Sequence, residues 1–349
     1  MMGSKDAKRL GARTGPVIAL LFVLFVSCSQ DGGGFHLPIG DIRPPSILDA
    51  GQTESGFFRI VFDEEVEAVE GSYAFTPAGS RLEPRAEGST LEIGISPAAP
   101  AGQDCAISGE ARDASGNICR FLFGFAAYNA SPATLVITEI QTGKNASISS
   151  PHRDYLEFLA TGAGNLGGIC VQWASTVKLM QYMFPNCEVA AGEVIVLHCA
   201  PEGLPGEINE LGDDTNLSAG VDASSEGRDF WTNSGGLPDE TGAIATRSRL
   251  GDAPTDGFAY TGAGKTGELA EGKLSALAAE LAEAALWKFS DPMRWEDFFQ
   301  WKSSSSRPLH RKLGVSRGLE QWYVGESGTQ SPGCAEPGVA KRTGRKAGT

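Results

Sequence analysis

The chain has 349 residues, of which 41% are hydrophobic and 21% charged, a balance that excludes wholesale disorder and a polytopic membrane protein. At roughly 100 to 200 residues per domain the length suggests two domains, and 45 glycines with 19 prolines suit turn-rich β structure. A formal charge of −14 gives no electrostatic hold on a polyanion and disfavours general nucleic-acid binding.

The first element is a leader. Lys5, Lys8, Arg9 and Arg13 precede an unbroken apolar run at 17–26, which ends at Ser27-Cys28. A helix of ten residues is about 15 Å long, half of a roughly 30 Å hydrocarbon core, so the run reads as a signal peptide rather than a span. The stretch Leu24-Phe25-Val26-Ser27-Cys28 resembles the lipobox of bacterial lipoproteins. That resemblance implies acylation of Cys28 as the first mature residue, with residues 1–27 removed. Ordinary secretion with cleavage near Ser27 is the alternative. Residues 28–43, with Gly32-Gly33-Gly34 and Pro44-Pro45 just beyond, read as a tether that reaches at most roughly 55 Å when fully stretched.

Residues 44–128 read as short strands. Phe58, Ile60 and Phe62 alternate with Arg59, and Leu91, Ile93 and Ile95 alternate with Glu92, as half-buried strands require. Asp113-Ala114-Ser115-Gly116-Asn117 is a turn cluster at the tip of an antiparallel hairpin. The order of these strands, Pro100-Ala101-Gly102 and this turn resembles bacterial Ig-like domains of the surface-layer type, which implies a β-sandwich.

A second module begins after Asn129-Ala130-Ser131-Pro132. Strand-like segments follow at 135–140, 154–158, 165–171, 182–185 and 191–197, and Arg311, Trp322 and Ser331-Pro332-Gly333 close the series. Together they resemble the lamin-tail domain, an Ig-like sandwich, over 134–335. The excess length is placed in an insertion at 267–302. Leu269, Leu274, Leu277, Leu281 and Leu286 recur with helical spacing there, and Asp291-Pro292 opens a second expected helix carrying Trp295, Phe298 and Phe299, with Trp301 following them. Packing of these rings against the sandwich is favoured, and they are also the candidate partner contact. Residues 336–349 read as a basic disordered tail. The fold expected is therefore mainly β, two Ig-like β-sandwich domains in tandem, the second with a helical insertion.

Chemistry is sparse. The sequence holds no nucleophile elbow, His-Glu-x-x-His, P-loop or paired Cys-x-x-Cys. His36, His152, His198 and His310 fall in separate segments, and Glu139 with Glu157 reads as scaffold rather than an acid/base pair. Asp213, Asp214, Thr215, Asn216 and Asp222 lack the spacing of an EF-hand and read as a solvated loop. No metal and no cofactor is expected. In an exported chain the cysteines suit disulfides, with Cys170 and Cys187 flanking a predicted 171–184 hairpin and Cys199 set to meet Cys334. Cys105 and Cys119 stand about six residues out of register on a hairpin centred at 115.

The function expected is that of a non-catalytic lipoprotein, lipid-anchored through Cys28 at the cell envelope, the outer membrane favoured over the inner. Its role would be structural or binding, toward an unknown envelope protein or glycan and not a nucleic acid. A carbohydrate-binding adhesin, which needs exposed Trp231, Trp295 or Trp301, and an accessory subunit of an exported hydrolase or nuclease are the alternatives.

Overall fold

The computed structural model describes residues 41–143, 154–302, 304–315 and 318–334. The leader, Cys28, most of the tether, His36, His152 and the basic tail lie outside the described residues. The protein is mainly β, and both sandwiches fall within one compact unit, Arg43–Thr349.

The first sandwich runs β1 (Ile47–Glu54), β2 (Phe57–Phe62), β3 (Glu67–Ala68), β4 (Ala74–Thr76), β5 (Arg81–Glu87), β6 (Thr90–Ser96), β7 (Asp104–Arg112) and β8 (Ile118–Ala126). One sheet is ordered β1-β2-β6-β5, and in the other β7 pairs with β3, β4 and β8. The period-two pattern does what it predicts. Phe58, Ile60 and Phe62 meet Leu91, Ile93 and Ile95 in a core where none is more than 4% exposed, and Ile107 and Phe121 close it from the facing sheet. At the β7–β8 turn the Asp113 carboxylate accepts the Asn117 N–H at 2.8 Å and the Asn117 side-chain amide at 2.7 Å. That turn sets Cys105 opposite Phe125 and Cys119 opposite Ala111, so the two thiols stand six residues apart along the ladder.

The second sandwich continues with β9 (Thr134–Gln141), β10 (Tyr155–Gly162), β11 (Gly164–Asn165), β12 (Cys170–Ala174), β13 (Leu179–Met183), β14 (Glu188–Val189), β15 (Val194–His198), β16 (Arg228–Trp231), β17 (Gly242–Arg247) and β18 (Asp256–Gly262). Helix α1 (Lys273–Glu283) and strands β19 (Phe299–Trp301), β20 (Leu309–Arg311) and β21 (Trp322–Val324) complete it. A six-stranded sheet, β16-β15-β10-β9-β20-β21, faces a five-stranded one, β13-β12-β17-β18-β19.

The five-stranded sheet buries both faces, and its register explains how. Trp173, Ile244 and Phe258 share one face and fill the core, whereas Gln172, Ala245 and Gly257 share the other, as do Ala174, Ala243 and Ala259. Small residues there leave room for α1, whose Leu274, Leu277, Ala278 and Leu281 lie on one stripe and are buried. A methyl group on Gly257 would collide with Leu281. The helix ends with the Ala285 N–H bonded to Ala282 O at 2.9 Å and the Leu286 N–H to Leu281 O at 2.9 Å, a Schellman closure that forces Ala285 to a φ of 55°.

The expected second helix does not form. Residues 295–297 make a single 3-10 turn, and β19 then pairs in parallel with β18, Tyr260 opposite Phe299. The Asp297 carboxylate fixes the turn by accepting the backbone N–H groups of Ser290 and Arg294, each at 2.9 Å. A ladder against an open sheet edge satisfies the backbone as well as a helix does and buries more of the rings. The segment 267–302 is thus part of the sandwich rather than an appendage on it.

Glycine also builds the junction between the sandwiches. A methyl group on Gly102, at φ 71°, would overlap the Gly168 backbone, and one on Gly167 would overlap the Ala101 carbonyl, so the two backbones touch directly. The Asn129 side-chain amide donates to Asn165 O at 2.8 Å and Gly167 O at 2.9 Å. Arg249 adds a bond to Gln52 O at 3.0 Å.

Two outcomes follow from this packing. Ala285→Gly should raise unfolding stability by about 0.5–1 kcal/mol in urea melts, because glycine takes a positive φ without the Cβ penalty. Gly167→Ala should part the junction and increase the radius of gyration in small-angle scattering of the protein, while the near-ultraviolet dichroism of each core persists.

Candidate functional site

A concentration of titratable side chains drawn from several segments of the second sandwich lies on the six-stranded sheet, on the face opposite the apolar core. Register puts Glu139 of β9 opposite both Glu157 of β10 and His310 of β20, and Tyr155 opposite His198 of β15. A bulge between Glu157 and Phe158 turns the Thr138 hydroxyl onto Glu157, to which it donates at 2.6 Å. Tyr155 donates its phenol to Glu139. Segments that sequence spacing kept apart are therefore assembled by the sheet, and both carboxylates with His198 and His310 come to one face.

The cluster is sealed. Tyr155, Glu139, Glu157, His198 and His310 are each no more than 1% exposed. Ser331 covers Glu139 with its N–H at 3.1 Å and its hydroxyl at 2.7 Å, and the Cys334 N–H donates to Glu157 at 3.1 Å. His198 shares a 2.9 Å hydrogen bond with Asp229, and the Trp231 ring stacks on its imidazole at 3.8 Å. Asp229 also accepts the Ser224 N–H, while Glu202 and Glu210 accept backbone N–H groups of the 217–222 stretch.

Burial and the facing Glu139 carboxylate push Glu157 from 4.5 up to about 8, so it holds a proton at neutral pH. Burial pulls His310 from 6.5 down to about 4, opposed by the Thr329 backbone, leaving a neutral ring with Nδ1 3.6 Å from Glu139. A neutral acid, a neutral imidazole and a phenol could move a proton among themselves. Tyr155 and Glu157 spend their bonds within the protein, on Glu139, Thr138 and the Cys334 backbone, and all three groups are closed off from solvent.

On the opposite face a buried ion pair joins the two sheets. Arg311 donates to Asp256 at 2.6 Å and to Ile137 O at 3.2 Å, while Asp256 accepts the Ile137 N–H at 2.8 Å. Trp322 packs on Phe258 at 4.2 Å. The closing residues singled out in the sequence, Arg311, Trp322 and Ser331, all serve as fasteners.

Several expected site residues lie elsewhere. Among the described residues Cys105, Cys119, Cys170, Cys187 and Cys199 are free thiols. Cys170 lies beside Arg247 on the sheet face under α1, whereas the chain turns at Pro185 and carries Cys187 into the core, its thiol near Glu210 O and Leu211 O. Cys199 points into the same core while Cys334 lies over Glu157, so neither expected disulfide is formed. Burial raises the Cys170 thiol to about 11 and raises Cys187 and Cys199, which disfavours a thiolate nucleophile at any of them.

The candidate contact aromatics are mostly core. Trp295 is 9% exposed, Phe298 1% and Trp301 2%, and Phe299 is half-buried against Phe258. Asp213 and Asp214 are exposed while Asp222 is buried away from solvent, so the acidic stretch does not gather one set of oxygen ligands. At the junction, Gln52, Arg59, Asp104, Phe125, Arg249 and Asp252 line an open cleft of about 820 Å³.

The Arg311 pair makes a sharp test. Arg311→Met should cost about 3–5 kcal/mol in denaturant unfolding, because it strands the Asp256 carboxylate in the core, and adding Asp256→Leu should recover most of the loss.

Among solved structures, the N-terminal part of the bacterial S-layer protein SbsC matches at 18% identity and a TM-score of 0.23 over 44% of this chain and 40% of that one. A DUF4876 family protein from Bacteroides thetaiotaomicron VPI-5482 matches at 12% identity and a TM-score of 0.22 over 54% of this chain and 65% of that one. The chain thus spans less than two thirds of either structure. No curated protein matches. The family model described as "protein second domain", TP_1001_2nd, matches residues 133–324, which is more than half of the sequence and nearly the whole second sandwich, and the chain belongs to that family.

Proposed function

We propose that this protein is an exported lipoprotein with a non-catalytic structural or binding role at the bacterial cell envelope, anchored in the outer membrane through Cys28. In this reading residues 44–128 are a bacterial Ig-like module and 134–335 a lamin-tail-like module. The observation that carries it is the use made of the buried polar cluster. Glu139, Glu157, Asp229, Glu202 and Glu210 accept hydrogen bonds from the chain's own backbone, so the groups best suited to acid–base chemistry fasten loops to the sheet. The basic leader, the short apolar run and Ser27-Cys28 support export and lipidation. No helix among the described residues is long and apolar enough to cross a membrane.

Recognition of an envelope protein or glycan then falls to loops and strand edges rather than to the aromatic segment. Leu122 on β8 is 73% exposed, Val177 at the β12–β13 turn 77%, and Ile208, Leu211 and Leu217 project from the long β15–β16 connection. The glycan reading has less support, since Trp295 and Trp301 are buried and Trp231 is stacked on His198.

Cys28→Ala should shift the protein from the detergent phase to the aqueous phase in a phase-partition assay, and a variant that stays with detergent refutes the anchor. Turnover of nuclease, phosphatase or glycosidase substrates by the purified mature chain, abolished by His198→Ala or His310→Ala, refutes the non-catalytic role.

A further inference from the structure

An edge strand left unpaired offers its backbone to another chain unless something blunts it. In the first sandwich β5 is blunted by Pro84 and by exposed Arg81, Glu83, Arg85 and Glu87. β1 is interrupted by register shifts between Ile47 and Asp49 and between Gln52 and Glu54. The remaining edges apart from β8 are short, β13 with five residues being the longest of them. β8 has none of these guards. Its nine residues keep one unbroken register with β7, from Ile118 opposite Arg112 to Ala126 opposite Asp104, and among the described residues no strand pairs with its other side. It holds no proline and one charge, Arg120, which Glu110 of β7 already neutralises at 2.7 Å.

The side chains of β8 divide by parity. Phe121, Phe123 and Phe125 turn inward, the rings of Phe123 and Phe125 at 5.6 Å and 4.7 Å from that of Phe58, and these two are only half-buried. Ile118, Arg120, Leu122 and Gly124 face solvent, with Leu122 73% and Ile118 41% exposed. The pattern complements itself when turned about Leu122. In an antiparallel pair centred there, Ile118 falls opposite Ala126, Arg120 opposite Gly124 and Phe121 opposite Phe123. No charge then meets a charge, and the one long side chain lies over a residue that has none. Centring the pair on Arg120 would instead set two guanidinium groups face to face.

We propose that β8 is a self-association edge, to which a second copy of this chain adds its own β8 antiparallel across a two-fold axis at Leu122. The occupant is a second copy because the strand answers its own charge and size pattern, which is what an interface about a two-fold axis requires. Pairing joins the two β7–β8 sheets into one, satisfies the outward backbone groups of β8, and covers Phe123 and Phe125 with the matching rings of the other copy. The cleft of about 820 Å³ beside Gly124, Phe125 and Ala126 leaves space for the 113–117 turn of the added strand. The inference goes beyond the envelope role and rests on neither that role nor the lipid anchor.

Sedimentation of the purified protein across about a hundredfold range of concentration should show a monomer passing to a dimer. Leu122→Lys sets two like charges at the axis and lies on an exposed face, so it should leave the fold intact by circular dichroism and hold the protein monomeric over the same range. Leu179→Lys, also an exposed change but on β13, should dimerise as the unaltered protein does. Cross-linking reads the register separately. Directly opposed residues stand about 5 Å apart at Cβ, so mild oxidation of Leu122→Cys should join two copies, with peptide mapping finding position 122 linked to itself. Arg120→Cys, roughly 14 Å from its counterpart in this register, should not link to itself. A protein that stays monomeric, a dimer that survives Leu122→Lys, an equal loss in Leu179→Lys, or self-linking through 120 rather than 122 overturns the proposal. So does slow exchange at the outward amides of β8 in a monomer, which would mean that another part of the chain covers the edge.

Discussion

A six-stranded sheet with both faces buried has to satisfy polar groups on one side while it packs apolar groups on the other, and much of the second sandwich answers that constraint. Leu156, Phe158, Ile195, Leu197 and Phe230 take the apolar face. On the reverse face Glu139, Tyr155, Glu157 and His198 are buried and each is hydrogen-bonded, as a buried polar group without a partner costs about 1–3 kcal/mol and a charged one more. Glu139 and Glu157 find partners on the segment beyond β21, while Asp229, which holds His198, accepts the Ser224 N–H from the long β15–β16 connection. The unusual length of this sandwich is thus tied to the polarity of one sheet face. The carboxylates and the loops each need the other.

The five-stranded sheet solves the same problem differently. Its reverse face is nearly apolar and made of alanine and glycine, and helix α1 seats on it with leucines. The exceptions are Gln172 and Arg247, which bond each other at 2.8 Å, and Arg247 also reaches Asp252 O at 2.7 Å and pairs with Glu280 of the helix. One sheet is covered by a helix that needs small residues beneath it, the other by irregular chain that needs hydrogen-bonding side chains beneath it. The Arg311–Asp256 pair and the aromatic cluster of Phe258, Trp287 and Trp322 hold the two together.

Strand faces were legible in the sequence because alternation is a local property. Phe58, Ile60 and Phe62 point inward for the same reason that Glu139 and Glu157 share a side of their own strands, and helix α1 follows from the leucine spacing. Neighbourhood was not legible, because it depends on which strands adjoin and in what register. Positions 139, 157 and 310 become neighbours only through the β10-β9-β20 order, and nothing along the chain marks that. The available signal was the parity of polar residues in otherwise apolar strands. The same gap misled the cysteine pairing, since Cys170 and Cys187 are close along a hairpin yet lie on opposite sides of a sheet. Trp295, Phe298 and Phe299 have helical spacing, but a short apolar run fits a helix or a strand, and the open edge of β18 decided it.

The contact of Gly102 with Gly167 and Gly168 bears on the cleft beside it. A flexible linker would let the two walls of that cleft wander, and a ligand spanning them would have to arrest the motion as well as make contacts. Here backbone meets backbone with no side chain between, so the distance from Arg59 on one wall to Arg249 on the other is set before anything arrives. A bridging molecule would lose its own freedom and little of the protein's, which makes its second contact effectively intramolecular with respect to the first.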